Sequence, residues 1–175
     1  MKRLTNITKP VVVFIGILAL LLASASACSG KPVPAMTVYY QIGQPAETSR
    51  EVLTAVSSEM VSQYKKSFPA RLINAFEVAP PGTVFVILKV SVTNVGQDSL
   101  GISYKDFYMK DSLGRVWPCT GYNGEEKSYP SRKLASGQSD YGYIAFNPLE
   151  TATGLQLCCV LQGSPPVLAV WQLPY

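Results

Sequence analysis

The chain has no histidine. Ser-His-Asp and Cys-His nucleophilic arrangements are therefore excluded, as are metal sites built on imidazole. Charge is sparse, at 15% of 175 residues. No glycine-rich phosphate loop follows a strand and opens a helix. There is no internal repeat and no low-complexity tract. Cysteine is scarce too, and its spacing does not support a zinc site. Carboxylates do occur in pairs, Asp106 with Asp111 and Glu125 with Glu126. A glycosidase needs two such groups flanking a cleft. The first pair is better explained by a hairpin turn, and the second reads as a solvated loop. Asp106, Asp111 and Asp140 offer hard oxygen ligands but lack calcium-loop spacing. The chain is read as a non-enzyme with no catalytic residue, metal site or cofactor.

What is present begins with a targeting segment. Lys2, Arg3 and Lys9 form a positive head, Val11 to Leu22 an apolar run broken by Gly16, and Ala23 to Ala27 a string of small residues before Cys28. That order resembles a lipoprotein-type signal peptide over 1–27, cut before a Cys28 that carries lipid. Ala25 stands where a leucine is usual. An uncleaved membrane anchor is the alternative, because the run from Val11 to Ala27 lies near the lower limit for spanning. Residues 28–36, with Pro32 and Pro34, read as an extended tether.

The formal charge of +4 belongs mostly to this segment. Without Lys2, Arg3 and Lys9, and with no acidic residue before Cys28, the rest carries 12 basic against 11 acidic residues. A nucleic-acid partner would need a clustered basic excess, so none is expected.

Residues 37–175 read as one all-β domain. The organising stretch runs from Gly82 to Trp117. Val84, Val86, Leu88, Val90 and Val92 alternate with Phe85, Ile87, Lys89, Ser91 and Thr93, which predicts a strand buried on one face throughout and on both faces at its start. A second strand sets Phe107 and Met109 on one face. Asp111-Ser112-Leu113-Gly114 then reads as a tight turn, with Asp bonding the backbone ahead and Gly at positive φ. Met36 to Ile42, Asp140 to Asn147, Thr153 to Leu161 and Val167 to Leu173 are further strands. Cys119 to Lys133 is the longest loop. In Glu51 to Tyr64, Val52, Val56, Met60 and Tyr64 are spaced for a helix face, yet share strand parity.

Three segments in order, FVILKVSVTNVG, SYKDFYMKDSLGRVW and LASGQSDYGYIAF, carry a resemblance. They are similar to a telokin-like, immunoglobulin-like family of unknown function found in bacterial and archaeal lipoproteins. The matching positions are Asn94; Asp106, Phe107, Met109, Asp111 and Gly114; and Leu134, Gly137, Gly142 and Phe146. Met109 and Trp117 replace the family's usual leucine and tyrosine. The resemblance implies an immunoglobulin-like antiparallel β-sandwich after an N-terminal signal helix, and a strand for Glu51 to Tyr64. It implies no catalytic residue.

With Cys28 lipidated, Cys119, Cys158 and Cys159 remain. One bridge and one thiol is the simplest arithmetic in an oxidising compartment. Parity favours Cys119–Cys159, with Cys119–Cys158 as the alternative. Two function classes stay open. The first is an interaction module lipid-anchored to the extracytoplasmic face of a cell membrane, meeting another envelope or extracellular protein. Its candidate contacts are Tyr122 and Tyr129 in the long loop, and Tyr39 and Tyr40, since tyrosine is enriched at interfaces. The second is a small-solute or lipid carrier, which needs a pocket of several hundred Å3.

Overall fold

A computed structural model describes residues 36–67 and 75–175. The targeting segment, its signal helix, most of the tether and Cys28 lie outside the described residues. The strands are β1 (Met36–Gln41), β2 (Pro45–Glu47), β3 (Glu51–Val61), β4 (Gln63–Lys65), β5 (Phe76–Val78), β6 (Phe85–Asn94), β7 (Leu100–Ile102), β8 (Phe107–Lys110), β9 (Val116–Pro118), β10 (Arg132–Leu134), β11 (Ser139–Phe146), β12 (Gln156–Leu161) and β13 (Val167–Gln172). A 3-10 turn, Tyr104–Asp106, precedes β8.

Strand β6 behaves as its alternation requires. Val86, Leu88, Val90 and Val92 are fully buried in the main core. Phe85 and Ile87 are buried on the opposite face with Ala145, under Tyr64, Tyr122 and Tyr143. The strand sits inside a four-stranded sheet ordered β11-β6-β3-β2. A five-stranded sheet ordered β1-β13-β12-β8-β9 faces it. Phe107, Met109, Leu157, Cys159, Leu161 and Trp171 fill the space between the two, which is the expected immunoglobulin-like β-sandwich. The pairings are antiparallel except for β1, which runs parallel to the last strand, β13.

Two edges of the sandwich are stitched differently. At one, where β1 and β2 lie, Trp171 donates its indole N–H to the Gln44 carbonyl at 3.0 Å. At the other, the chain leaves β9 and crosses to β11, where the Thr120 N–H and hydroxyl both reach the Ala145 carbonyl, at 2.9 and 3.0 Å.

The segment Glu51 to Tyr64 is strand, but its apolar residues do not share one face. The register against β6 shifts between Ala55 and Ser57, so Val56 is a bulge. Before it Leu53 and Ala55 point into the core; beyond it Met60 does, and Val56 is exposed.

The hairpin forms as read. Gly114 has φ +80°, and its N–H donates to the Asp111 carbonyl at 3.0 Å. Asp111 Oδ1 accepts the N–H groups of Leu113 and Arg115 at 3.0 and 2.8 Å, and Oδ2 accepts Arg115 Nε at 2.6 Å. Burial alone would raise this carboxyl, but the Arg115 guanidinium and the two backbone donors hold it below the usual carboxylate range. Asn94, also fully buried, donates to the Asp98 and Leu134 carbonyls at 2.8 and 2.9 Å and accepts the Gly96 N–H at 3.0 Å.

The expected disulfide is not formed. Among the described residues, Cys119, Cys158 and Cys159 are not joined to one another by a disulfide. Cys158 pairs with Tyr108 of β8, and Tyr108 with Pro118 of β9. A whole strand thus separates the two cysteine segments, roughly 9.5 Å at two strand spacings, where a bridge needs Cα atoms within about 7 Å. Immediately after Pro118 the chain turns toward the other sheet, taking Cys119 with it.

Candidate functional site

A groove of about 560 Å3 opens along the β9–β11 edge. The long loop builds most of it. Leaving β9, residues 120–123 supply Thr120, Gly121, Tyr122 and Asn123. The loop then runs beside β11, with the Tyr129 N–H donating to the Tyr143 carbonyl at 2.9 Å and the Tyr143 N–H to the Lys127 carbonyl at 2.8 Å. That close approach requires Gly142, where a Cβ would lie 2.5 Å from Tyr129 N and Cα.

Aromatic rings line the groove and lock one another. Tyr122 is packed between Tyr64 and Tyr143, with centroids 5.1 and 5.5 Å apart and tilts of 32° and 35°. Tyr64 meets Phe85 edge-on at 4.9 Å and donates its hydroxyl to Asn123 Oδ1 at 2.6 Å. Tyr104, from the 3-10 turn, lies over Gly121. Burial raises both the Tyr64 and Tyr122 hydroxyls above the ordinary tyrosine value, so these rings stay neutral. Among the described residues, Glu77 brings the one formal charge in the lining, and Lys66 pairs with it.

The four tyrosines singled out from the sequence fall in different places. Tyr122 and Tyr129 both reach the groove. Tyr129 is only 4% exposed, however, and packs edge-to-face on Phe107 at 5.4 Å, so it belongs as much to the core. Tyr39 is 69% exposed on β1, at the opposite edge of the five-stranded sheet. Its neighbour Tyr40 stacks on Trp171 at 5.5 Å. Tyr64 and Tyr104 were not anticipated. They lie 58 and 18 positions before Tyr122, and only the sheet pairing brings all three together.

The carboxylate pairs read from the sequence are separated or engaged elsewhere. Asp106 and Asp111 stand at opposite ends of β8, about 16 Å apart at strand rise, beyond the ~5–9.5 Å of glycosidase carboxyls. Glu125 pairs with Lys65 at 2.7 Å. Asp140 is held by Lys127 and Arg132, which with the Tyr141 N–H lower a carboxyl that burial would raise. Among the described residues no cluster of potential metal ligands occurs, and no helix is long and apolar enough to cross a membrane.

Residues 40–164 match the domain of unknown function DUF4352. The chain belongs to this family. Solved structures share the DUF4352 chain's fold at low identity. One is a β-sandwich protein from Clostridium difficile 630, with a TM-score of 0.52 and 10% identity over 82% of this chain and 97% of that one. A candidate lipoprotein from Bacillus subtilis has a TM-score of 0.54 and 12% identity; the match covers 77% of this chain and 38% of that one. A secreted protein from Mycobacterium tuberculosis has a TM-score of 0.51 and 13% identity, over 79% and 99% of the two chains. No curated protein matches the DUF4352 chain.

Proposed function

We propose that this DUF4352 chain is a telokin-like lipoprotein, cut before Cys28 and held at the extracytoplasmic face, whose sandwich is a non-catalytic interaction module. The observation that carries the binding role is the groove of about 560 Å3 with its interlocked tyrosines. That volume lies within the ~300–1,000 Å3 of ligand sites. The groove is open to solvent and mixes hydroxyls and amides with rings, which favours a polar partner over a lipid cargo. The order of positive head, apolar run, small residues and Cys28 supports the anchor, and the B. subtilis neighbour described as a candidate lipoprotein agrees with it. Contact with envelope material through the groove is tested by co-sedimentation of the protein with purified envelope. Retention should saturate and should fall at least tenfold in Tyr104→Ala. Equal retention of the variant and the parent would sink the assignment of the binding role to the groove.

A further inference from the structure

We infer that the groove takes a neutral oligosaccharide chain, an inference that rests on the binding role just proposed. Three features select this chemistry. The first is charge. Among the described residues, Glu77 is the one formal charge in the lining, and Lys66 pairs with it. Among the described residues, a phosphate or carboxylate ligand would find no unpaired cation there. The second is the balance of polar groups. Ser128, Ser131, Thr120 and Asn123 supply hydroxyls and an amide, which both donate and accept. Thr120 already gives its proton to Ala145 and Asn123 Oδ1 accepts from Tyr64, so one keeps acceptor capacity and the other its NH2 donors. A proline-rich peptide, the other common occupant of tyrosine-lined grooves, offers carbonyl acceptors and would leave the groove's acceptors stranded. Sugar hydroxyls satisfy both kinds. The third is the platform. Tyr122 is wedged between Tyr64 and Tyr143, and Tyr64 against Phe85. The rings are therefore fixed before any ligand arrives, and little side-chain entropy is lost on binding. Tyr104, outside that stack, adds a further neutral ring to the lining, and neutral aromatic rings suit the C–H faces of pyranose rings.

The groove's extent points to a chain of sugars over a single one. Ser128 lies opposite Tyr143, and Asn147 is four residues farther along the same course, about 13 Å at strand rise. Tyr104 and Ser131 extend the lining beyond Ser128.

The test is calorimetric titration of the full chain, held in a detergent without a sugar headgroup. The probes are cellotetraose, chitotetraose, maltotetraose and a proline-rich decapeptide. At least one tetrasaccharide should bind saturably. Its Kd should weaken at least tenfold in Tyr104→Ala and severalfold in the milder Ser131→Ala, with thermal unfolding of the second variant unchanged. Binding of the decapeptide but of no tetrasaccharide overturns the saccharide assignment and leaves the interaction module standing. Tetrasaccharide binding that neither variant weakens overturns the site. Silence from all four probes overturns the inference, and the envelope co-sedimentation result then decides the broader reading separately.

Discussion

Gly114 and Glu51 show how much single positions carry. At φ +80°, Gly114 occupies backbone space that a β-branched side chain resists. Gly114→Val should cost more than about 1 kcal/mol of stability; urea unfolding reads it, and an unchanged midpoint would refute the turn geometry. Glu51 poses a different question. It is 6% exposed, and its carboxylate accepts the Gln162 N–H, joining the start of β3 to the end of β12. Burial foremost, and Asp106 to a smaller extent, push its pKa up to about 7, against the lowering effect of Gln162 N–H and Arg50. An acid whose folded pKa is raised stabilises the fold fully below its unfolded value and loses that contribution as pH rises through the folded one. Between about pH 4.5 and 7, wild-type stability should therefore fall by up to about 3 kcal/mol from this group. Glu51→Gln keeps an acceptor for Gln162 and removes the titration. Its advantage over wild type should be near zero at pH 4 and largest at pH 8, as read from urea midpoints across that range.

Among the elements, the long loop and the cysteine-bearing strands carry the consequences. Gly142 lets residues 127–129 lie against β11, and a methyl group there meets Tyr129 backbone. Gly142→Ala should destabilise the protein by about 1–3 kcal/mol through overpacking and change the Tyr122 and Tyr143 ring signals in NMR spectra. An unperturbed spectrum would show that the loop is not pinned there. Cys119, Cys158 and Cys159 should all label with a thiol reagent after denaturation without reductant, and fewer than three modified sites would contradict the absence of a bridge among them. The sequence was legible where one period governs one face. The alternation of Val86 to Val92 and the Asp111–Gly114 turn stand as read. It was not legible where a single residue breaks parity. The bulge at Val56 reverses the core face of β3, and the crossover after Pro118 carries Cys119 away from β12. The groove was half legible. Tyr122 advertised itself in a polar loop, but Tyr64 and Tyr104 join it only through pairings that span the whole chain.

For the whole molecule, most of the positions that carry the resemblance prove to be scaffold. Asn94, Phe107, Met109, Leu134 and Phe146 are buried, and Asp111 and Gly114 make a turn. Cys28→Ser should abolish labelling by radioactive fatty acid and move any processed protein to the soluble fraction, with the fold intact by circular dichroism. Two or more acyl chains, at about 0.8 kcal/mol per buried CH2, hold a protein where one is marginal. A variant that is still cut and still sediments with membranes would exclude lipid on Cys28 as the anchor.

The position of β1 has its own consequence for how a leashed molecule would stand. The chain enters the sandwich at Met36, on the outermost strand of the five-stranded sheet, and the groove opens beyond β9, the outermost strand at the other side. Four strand spacings, roughly 19 Å, separate them. A tug transmitted through the residues before Met36 therefore acts on the side remote from the tyrosines. A partner seated in the groove would therefore lie against the β9–β11 edge and leave β1, with its exposed Tyr39, uncovered.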